Sequence, residues 1–179
     1  MKLLIAVVLL VIASPVLAQT QSSDAAPAVG CGPANIEFNV KTDNKQHLAV
    51  RRPDAGKAQL VFLQDDAEFL SRPRPTTRFG VDGAWVGATQ SNSYFYVTVE
   101  PGEHHLCASW QGFVGLGPQR REAALHFTAE AGNNYYFRAK DIFSTETKIP
   151  AVVLLKALDS DEAQLLMSQF SFSMSTPKK

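Results

Sequence analysis

The densest group of metal-type side chains in the chain is His104-His105-Leu106-Cys107. Successive side chains of a strand point to opposite faces, so His105 and Cys107 share one face and His104 and Leu106 the other. His126 lies in a second alternating run, Ala123-Ala124-Leu125-His126-Phe127-Thr128-Ala129. His105, Cys107 and His126 together would supply three of the nitrogen and sulfur ligands that zinc or a similar transition metal takes. The other use of these residues is a histidine pair at a sheet rim with Cys107 oxidised. The second use is the expected one, with no cofactor.

Other chemistries find less. A nucleophilic hydrolase needs a serine or cysteine beside a histidine and an orienting acid. Ser109 follows the His105 face, but Gly-x-Ser-x-Gly is absent. The carboxylate pair Asp65-Asp66 flanks an expected loop, and Asp159, Asp161 and Glu162 suit a helix start; neither carries a glycosidase or calcium-loop context. Gly115-x-Gly117 lacks the surroundings of a phosphate loop. The expectation is that the protein is not an enzyme. The aromatic residues offer a binding surface instead. Phe95, Val97 and Val99 belong to one strand face and should be core. Tyr94 and Tyr96 take the other face, where with Trp85 they could stack on a glycan or protein, unless a helix or the leader covers them. Phe113 stands on a glycine-rich hairpin tip, a common place for a contact residue.

The elements that must position these groups are strands. Asp82-Gly83 between β-rich runs is a two-residue hairpin signal, and Pro101-Gly102 suits a type II turn. Ile36–Val40 alternates, and Leu48–Val50 could be a short strand. Lys57–Asp65 has a nearly continuous apolar centre, which predicts a strand buried on both faces. Asp66–Thr76, with Arg72-Pro73-Arg74-Pro75, reads as a crossover loop between two sheets rather than a docking arm. Ala123–Ala129, Tyr135–Lys140 and Val152–Leu158 are further strands. Asp159-Ser160-Asp161-Glu162 opens a helix. Its Ala163, Leu166, Met167 and Phe170 fall on one face, and the polar tail from Ser171 is expected to fray. Turns recur among short strands and no helix alternates with them. The fold class expected is mainly β, an antiparallel β-sandwich of seven to nine strands with one short C-terminal helix.

The chain begins with an export signal, in which Lys2 precedes the apolar run Leu3–Ile12 and Val16-Leu17-Ala18 offers a cleavage site. Residues 1–18 are thus a signal peptide, 19–34 a flexible leader and 35–176 one domain. The protein should be periplasmic or secreted, with no membrane span after signal removal. The two cysteines, Cys31 and Cys107, would then form one disulfide. The sequence has 17 basic and 17 acidic residues, which gives no electrostatic case for nucleic acid.

The run Gly56-Lys57-Ala58-Gln59-Leu60-Val61-Phe62, Val81-Asp82-Gly83 with Val86-Gly87, Asn92-Ser93-Tyr94-Phe95, Pro101-Gly102-Glu103-His104, and Ala131-Gly132 before Tyr135-Tyr136-Phe137 resembles a family of small exported bacterial domains of unknown function. The resemblance covers about residues 56–158 and implies a PEGA-like, immunoglobulin-like or transthyretin-like sandwich core. It implies no activity. The reading is an envelope module that binds a protein or glycan, or plays a structural part. The competing reading is a metal-binding domain using His105, Cys107 and His126, and the state of Cys107 separates the two.

Overall fold

The computed structural model describes residues 30–44, 52–112, 119–143 and 151–179. Within them the chain forms β1 (Phe38–Asp43), β2 (Ala58–Phe69), β3 (Thr76–Val81), β4 (Ala84–Gln90), β5 (Ser93–Val99) and β6 (Gly102–Gln111). It continues through β7 (Gln119–Arg120), β8 (Glu122–Ala129), β9 (Asn134–Phe143), β10 (Ala151–Leu158), α1 (Ser160–Gln169) and β11 (Ser171–Pro177). The signal peptide, the leader up to residue 29, the strand expected at Leu48–Val50 and the tip carrying Phe113 lie outside the described residues.

The protein is mainly β, with two sheets and one helix. The larger sheet has seven strands in the order β1-β11-β5-β2-β9-β10-β7, and the smaller has four, β4-β3-β6-β8. Two expectations are corrected. Eleven strands stand among the described residues, not seven to nine. The larger sheet is also mixed rather than antiparallel, because β2 runs parallel to β9, β11 to β5 and β10 to β7. The cause is the route of the chain. After β2 it crosses to the smaller sheet for β3 and β4, and after β5 it does so again for β6 and β8. Parallel neighbours need a crossover instead of a hairpin, and the strands of the smaller sheet supply it between β2 and β9.

β2 takes the middle of the larger sheet and is buried from Ala58 to Asp66, as its apolar run predicts. Its alternation divides the interior. Leu60 and Phe62 face the smaller sheet, and the Phe62 ring lies 4.9 Å from Phe79 of that sheet and 5.5 Å from Phe95 and 5.9 Å from Phe137 of its own. Val61 and Leu63 point the other way, under α1. The expected core face of β5 is present too, with Phe95 in this cluster and Val97 and Val99 packed against it.

β2 runs on through Asp66 to Phe69, so only residues 70–75 remain to cross from the larger sheet to β3. Asp82 and Gly83 join β3 to β4 with φ of 51° and 82°, the left-handed pair that a tight hairpin with primed geometry needs. The helix starts where its acids predict. The Asp159 carboxylate accepts from the Asp161 and Glu162 N–H groups at 2.9 Å each, which satisfies two of the donors a helix start leaves open. Ala163, Met167 and Phe170 pack over Val61, Leu63, Tyr94 and Tyr136.

The tail beyond the helix is not frayed. β11 inserts between β1 and β5 and pairs with β1 from Phe172↔Asp43 to Pro177↔Phe38. Its serines make this possible. Ser173 Oγ donates to the Ala88 carbonyl at 2.9 Å, and Ser175 Oγ accepts from the Ala88 N–H at 3.0 Å. The polar side chains thereby tie β11 to β4, across the seam between the sheets.

Candidate functional site

Alternation along β6 turns Leu106, Ala108 and Trp110 into the core. It leaves His105, Cys107 and Ser109 on the outer face of the smaller sheet. The segment from Gly30 to Glu37 lies across this face. Cys107 is bonded to Cys31, with the Cα atoms 5.0 Å apart. The approach is so close that a Cβ at Gly80 of β3 would fall 2.3 Å from the Gly30 carbonyl oxygen, and Gly30 itself has φ of 88°. Glycine is required at both positions for the leader to reach the sheet.

Arg78 organises the contact. Its Nη1 donates to the carbonyls of Ala34 at 3.2 Å and Ile36 at 2.5 Å, and its Nη2 donates to Ser109 Oγ at 3.2 Å. The guanidinium carbon sits 4.4 Å from the centroid of the Trp85 ring, a cation–π geometry. Trp85 Nε1 donates to the Pro33 carbonyl at 2.7 Å. Further along, Phe38 N–H donates to Gln111 Oε1 at 2.6 Å, and Gln111 Nε2 returns a bond to the Phe38 carbonyl at 2.9 Å. Burial pushes the Arg78 guanidinium below its ordinary pKa, against the opposing pull of the Glu122 and Glu37 charges.

Beside the leader, Arg78 also lines an open cavity of about 530 Å³ with Ser109, Trp110, Arg120, Arg121 and Glu122. Ser109 Oγ donates to Glu122 Oε1 at 3.2 Å, so the hydroxyl links this carboxylate to Arg78 by hydrogen bonds. Sequence reasoning missed these arginines. The available signal was a charged residue at Arg78 within a strand otherwise rich in apolar residues, and the basic pair Arg120-Arg121.

The metal triad is not assembled. His105 and His126 are cross-strand partners with ring centroids 6.3 Å apart. Cys107 shares their face, but the disulfide takes up its sulfur, which removes the ligand that would complete the set. Among the described residues no group of three or more His, Cys, Asp and Glu could hold a metal ion. His104 has a different role. Its Nδ1 faces Asp82 Oδ2 at 2.6 Å and its Nε2 faces the Glu100 carbonyl at 2.7 Å. Both partners are acceptors, so both nitrogens must carry protons for both bonds to form. Burial alone would lower the His104 pKa, but the Glu100 carbonyl and the Asp82 carboxylate outweigh it and raise the value. Asp82 Oδ1 also accepts from the His105 N–H at 2.8 Å. This histidine therefore locks the β3–β4 hairpin to the start of β6.

The aromatic surface is likewise divided. Trp85 lies under the leader on the smaller sheet. Tyr94 is 1% exposed beneath α1 on the far side of the larger sheet, so it leaves the expected binding surface. Tyr96 is half-buried beside Phe172, at 5.8 Å between ring centroids. The helix covers this face because its apolar stripe needs a partner, and Tyr94 supplies part of it.

The acids at the end of β2 do not border a loop. Asp66 and Asp141 of β9 are 1% and 0% exposed. Gln64 Nε2 donates to Asp66 Oδ1 at 2.8 Å and to Asp141 Oδ2 at 2.9 Å, and Thr77 Oγ1 donates to Asp141 Oδ2 at 2.9 Å. Burial first, then the Asp66 charge, holds the Asp141 carboxyl well above the ordinary range. Burial also raises Asp66. The pair belongs to a closed polar network that joins the sheets.

These features define a disulfide-tied, two-sheet β domain whose small sheet is capped by its own leader. A family model described as "Protein of unknown function (DUF2846)" matches residues 54–151, and the chain belongs to that family. The match spans β2 to the start of β10. It therefore includes Cys107, Arg78 and Trp85 but not Cys31 or the leader that rests on them. Neither the search of curated proteins nor that of solved structures found a match. Among the described residues, no helix is long and apolar enough to cross a membrane.

Proposed function

We propose that the protein is an exported, non-catalytic binding module of the cell envelope, a β-sandwich whose outer surface and loops meet a protein or glycan partner. The observation that carries this reading is the Cys31–Cys107 bridge, which pins the leader over Arg78 and Trp85. Such a bridge persists in an oxidising compartment. The export signal read in residues 1–18 agrees with that setting. A catalytic reading draws less support. The two acids with raised pKa, Asp66 and Asp141, are sealed between the sheets where a substrate does not reach them. The histidine pair on the outer face has lost Cys107 to the bridge.

The test is expression of the full chain in a bacterial host, with fractionation and native mass spectrometry before and after reduction. The expected product is a chain starting at Gln19, in the periplasm or medium, lighter than its reduced form by two hydrogens. A full-length thiol form held in the cytosol overturns the export reading. Crosslinking of the exported protein to purified envelope proteins, and cosedimentation with cell-wall glycan, then test the binding part. Turnover of a chromogenic hydrolase substrate, lost in a His105→Ala/His126→Ala variant, would overturn the non-catalytic part.

A further inference from the structure

We infer that the cavity beside Arg78 binds an oxyanion, the carboxylate or phosphate group of a small ligand. The inference rests on the binding-module reading and names the chemistry of one of its ligands.

Arg78 is 7% exposed, yet among the described residues its guanidinium bonds to two backbone carbonyls and one hydroxyl and forms no salt bridge. A buried cation is costly unless it is paired as well as hydrogen-bonded. Its Nε is buried with no hydrogen-bond partner. The Glu122 and Glu37 carboxylates act on it by charge, but neither forms a salt bridge with it, and Glu122 accepts from the Ser109 hydroxyl. The carbonyl partners orient the arginine, but they do not neutralise it.

The cavity adjoins this side chain and adds further cations to it. Its volume of about 530 Å³ falls within the range of small-molecule sites. Three guanidiniums, those of Arg78, Arg120 and Arg121, line it against one carboxylate, Glu122. Ser109 adds a hydroxyl. A guanidinium presents a planar fork of donors that fits a carboxylate or phosphate. Arg78 is held rigid by Trp85 on its face and by the leader carbonyls, so little ordering remains when an anion arrives. Its burial in low dielectric strengthens the attraction.

Both tryptophans of the protein report on this place. Trp85 stacks on Arg78 and Trp110 lines the cavity. The test is a fluorescence titration of the oxidised, exported protein with inorganic phosphate and with acetate, each against sodium chloride of matched ionic strength. A saturable change with either anion, beyond the chloride control, is the expected result. The stronger of the two identifies phosphate or carboxylate as the natural group. Arg120→Ala/Arg121→Ala should weaken the apparent affinity about tenfold or more. Glu122→Gln should tighten it, because the carboxylate lining the cavity is gone. Arg78→Lys keeps the charge and loses the fork, so it should also weaken binding if the protein folds. The two rim variants test the site without touching the buried arginine. No saturable response to either anion, or a response unchanged in the rim variants, overturns the inference. Such a failure on correctly exported, bridged protein leaves the export reading standing. Conversely, recovery of unprocessed cytosolic protein sinks that reading whatever the anion titration shows.

Discussion

The two outer faces of this protein are both covered by the chain itself, but by opposite means. On the larger sheet, α1 lays Ala163, Met167 and Phe170 over Val61, Leu63, Tyr94 and Tyr136. That cover is mainly apolar, with one ion pair, Arg138 to Glu162 at 2.7 Å, at its edge. On the smaller sheet, the leader is held by one disulfide, a guanidinium and an indole N–H that donate to backbone carbonyls. That cover is polar and redox-dependent. The helix closes its face permanently, as core packing does. The leader leaves beside it an open cavity lined by arginines. The face sealed by hydrophobic burial stabilises the fold, and the face held by polar bonds keeps chemistry near solvent.

The apolar side carries the greater energy. Phe170 is 4% exposed, and Phe170→Ala should cost about 3–5 kcal/mol in urea unfolding. The comparison predicts that this loss is the same with and without reductant, since no bond of the helix face depends on sulfur. A loss that changes with reductant would show that the two covers act as one.

Next comes the bridge. It spans 76 positions of sequence, and the Cys31→Ser/Cys107→Ser variant should lose roughly 2–4 kcal/mol. More telling is the local signature. Freed from Cys107, the leader loosens from Arg78 and Trp85, and tryptophan emission should shift to the red while the helical circular dichroism stays. Loss of the helix at the same time would contradict the separation of the faces.

His104 tests the smaller sheet from a third side, through pH. Its folded pKa is raised above 6.5, so its contribution to stability is fully present below about pH 6.5. It is lost as pH rises through the folded value. Asp82 is lowered below 3.8, so its share is present above that value and fades as pH falls through the folded pKa. His104→Gln should therefore cost about 1–2 kcal/mol near pH 5.5 and less at pH 9. The half-exposed Asp82 keeps the figure at the lower end. A cost independent of pH would remove the charged histidine from the account.

Local chemistry was legible in the sequence and partnership was not. Asp82-Gly83 announced its hairpin because only a few residue types accept its dihedral angles. β2 showed its double burial as an apolar run, and the helix showed its stripe. The disulfide followed from two cysteines and the export signal read in residues 1–18. β11 was invisible, because Ser171-Phe172-Ser173-Met174-Ser175 has the composition of a tail and becomes a strand only between β1 and β5. Alternation placed Tyr94 and Trp85 on strand faces, yet it could not say that those faces belong to different sheets. Arg78 was readable as a charge within a strand. Its burial depends on a leader some forty residues earlier, and its cavity on arginines some forty residues later. Asp66 looked like a loop acid because β2 runs farther than its apolar centre.

The smallest effect gives the finest test of the comparison. Asp159 accepts two N–H groups at the start of α1, and Asp159→Ala should cost about 1 kcal/mol. It weakens the helical cover without opening a cavity beneath it. Amide exchange should quicken at Asp161 and Glu162 and through the first turn, while β3 and β6 keep their protection. Asp159 and the disulfide act on opposite outer faces and share no partner. Changes at such sites usually add within about 0.3–0.5 kcal/mol. Combining Asp159→Ala with Cys31→Ser/Cys107→Ser should therefore give the sum of the separate losses. A larger departure would mean that strain passes through the Phe62 core from one cover to the other, and the two faces would then have to be treated as one cooperative unit.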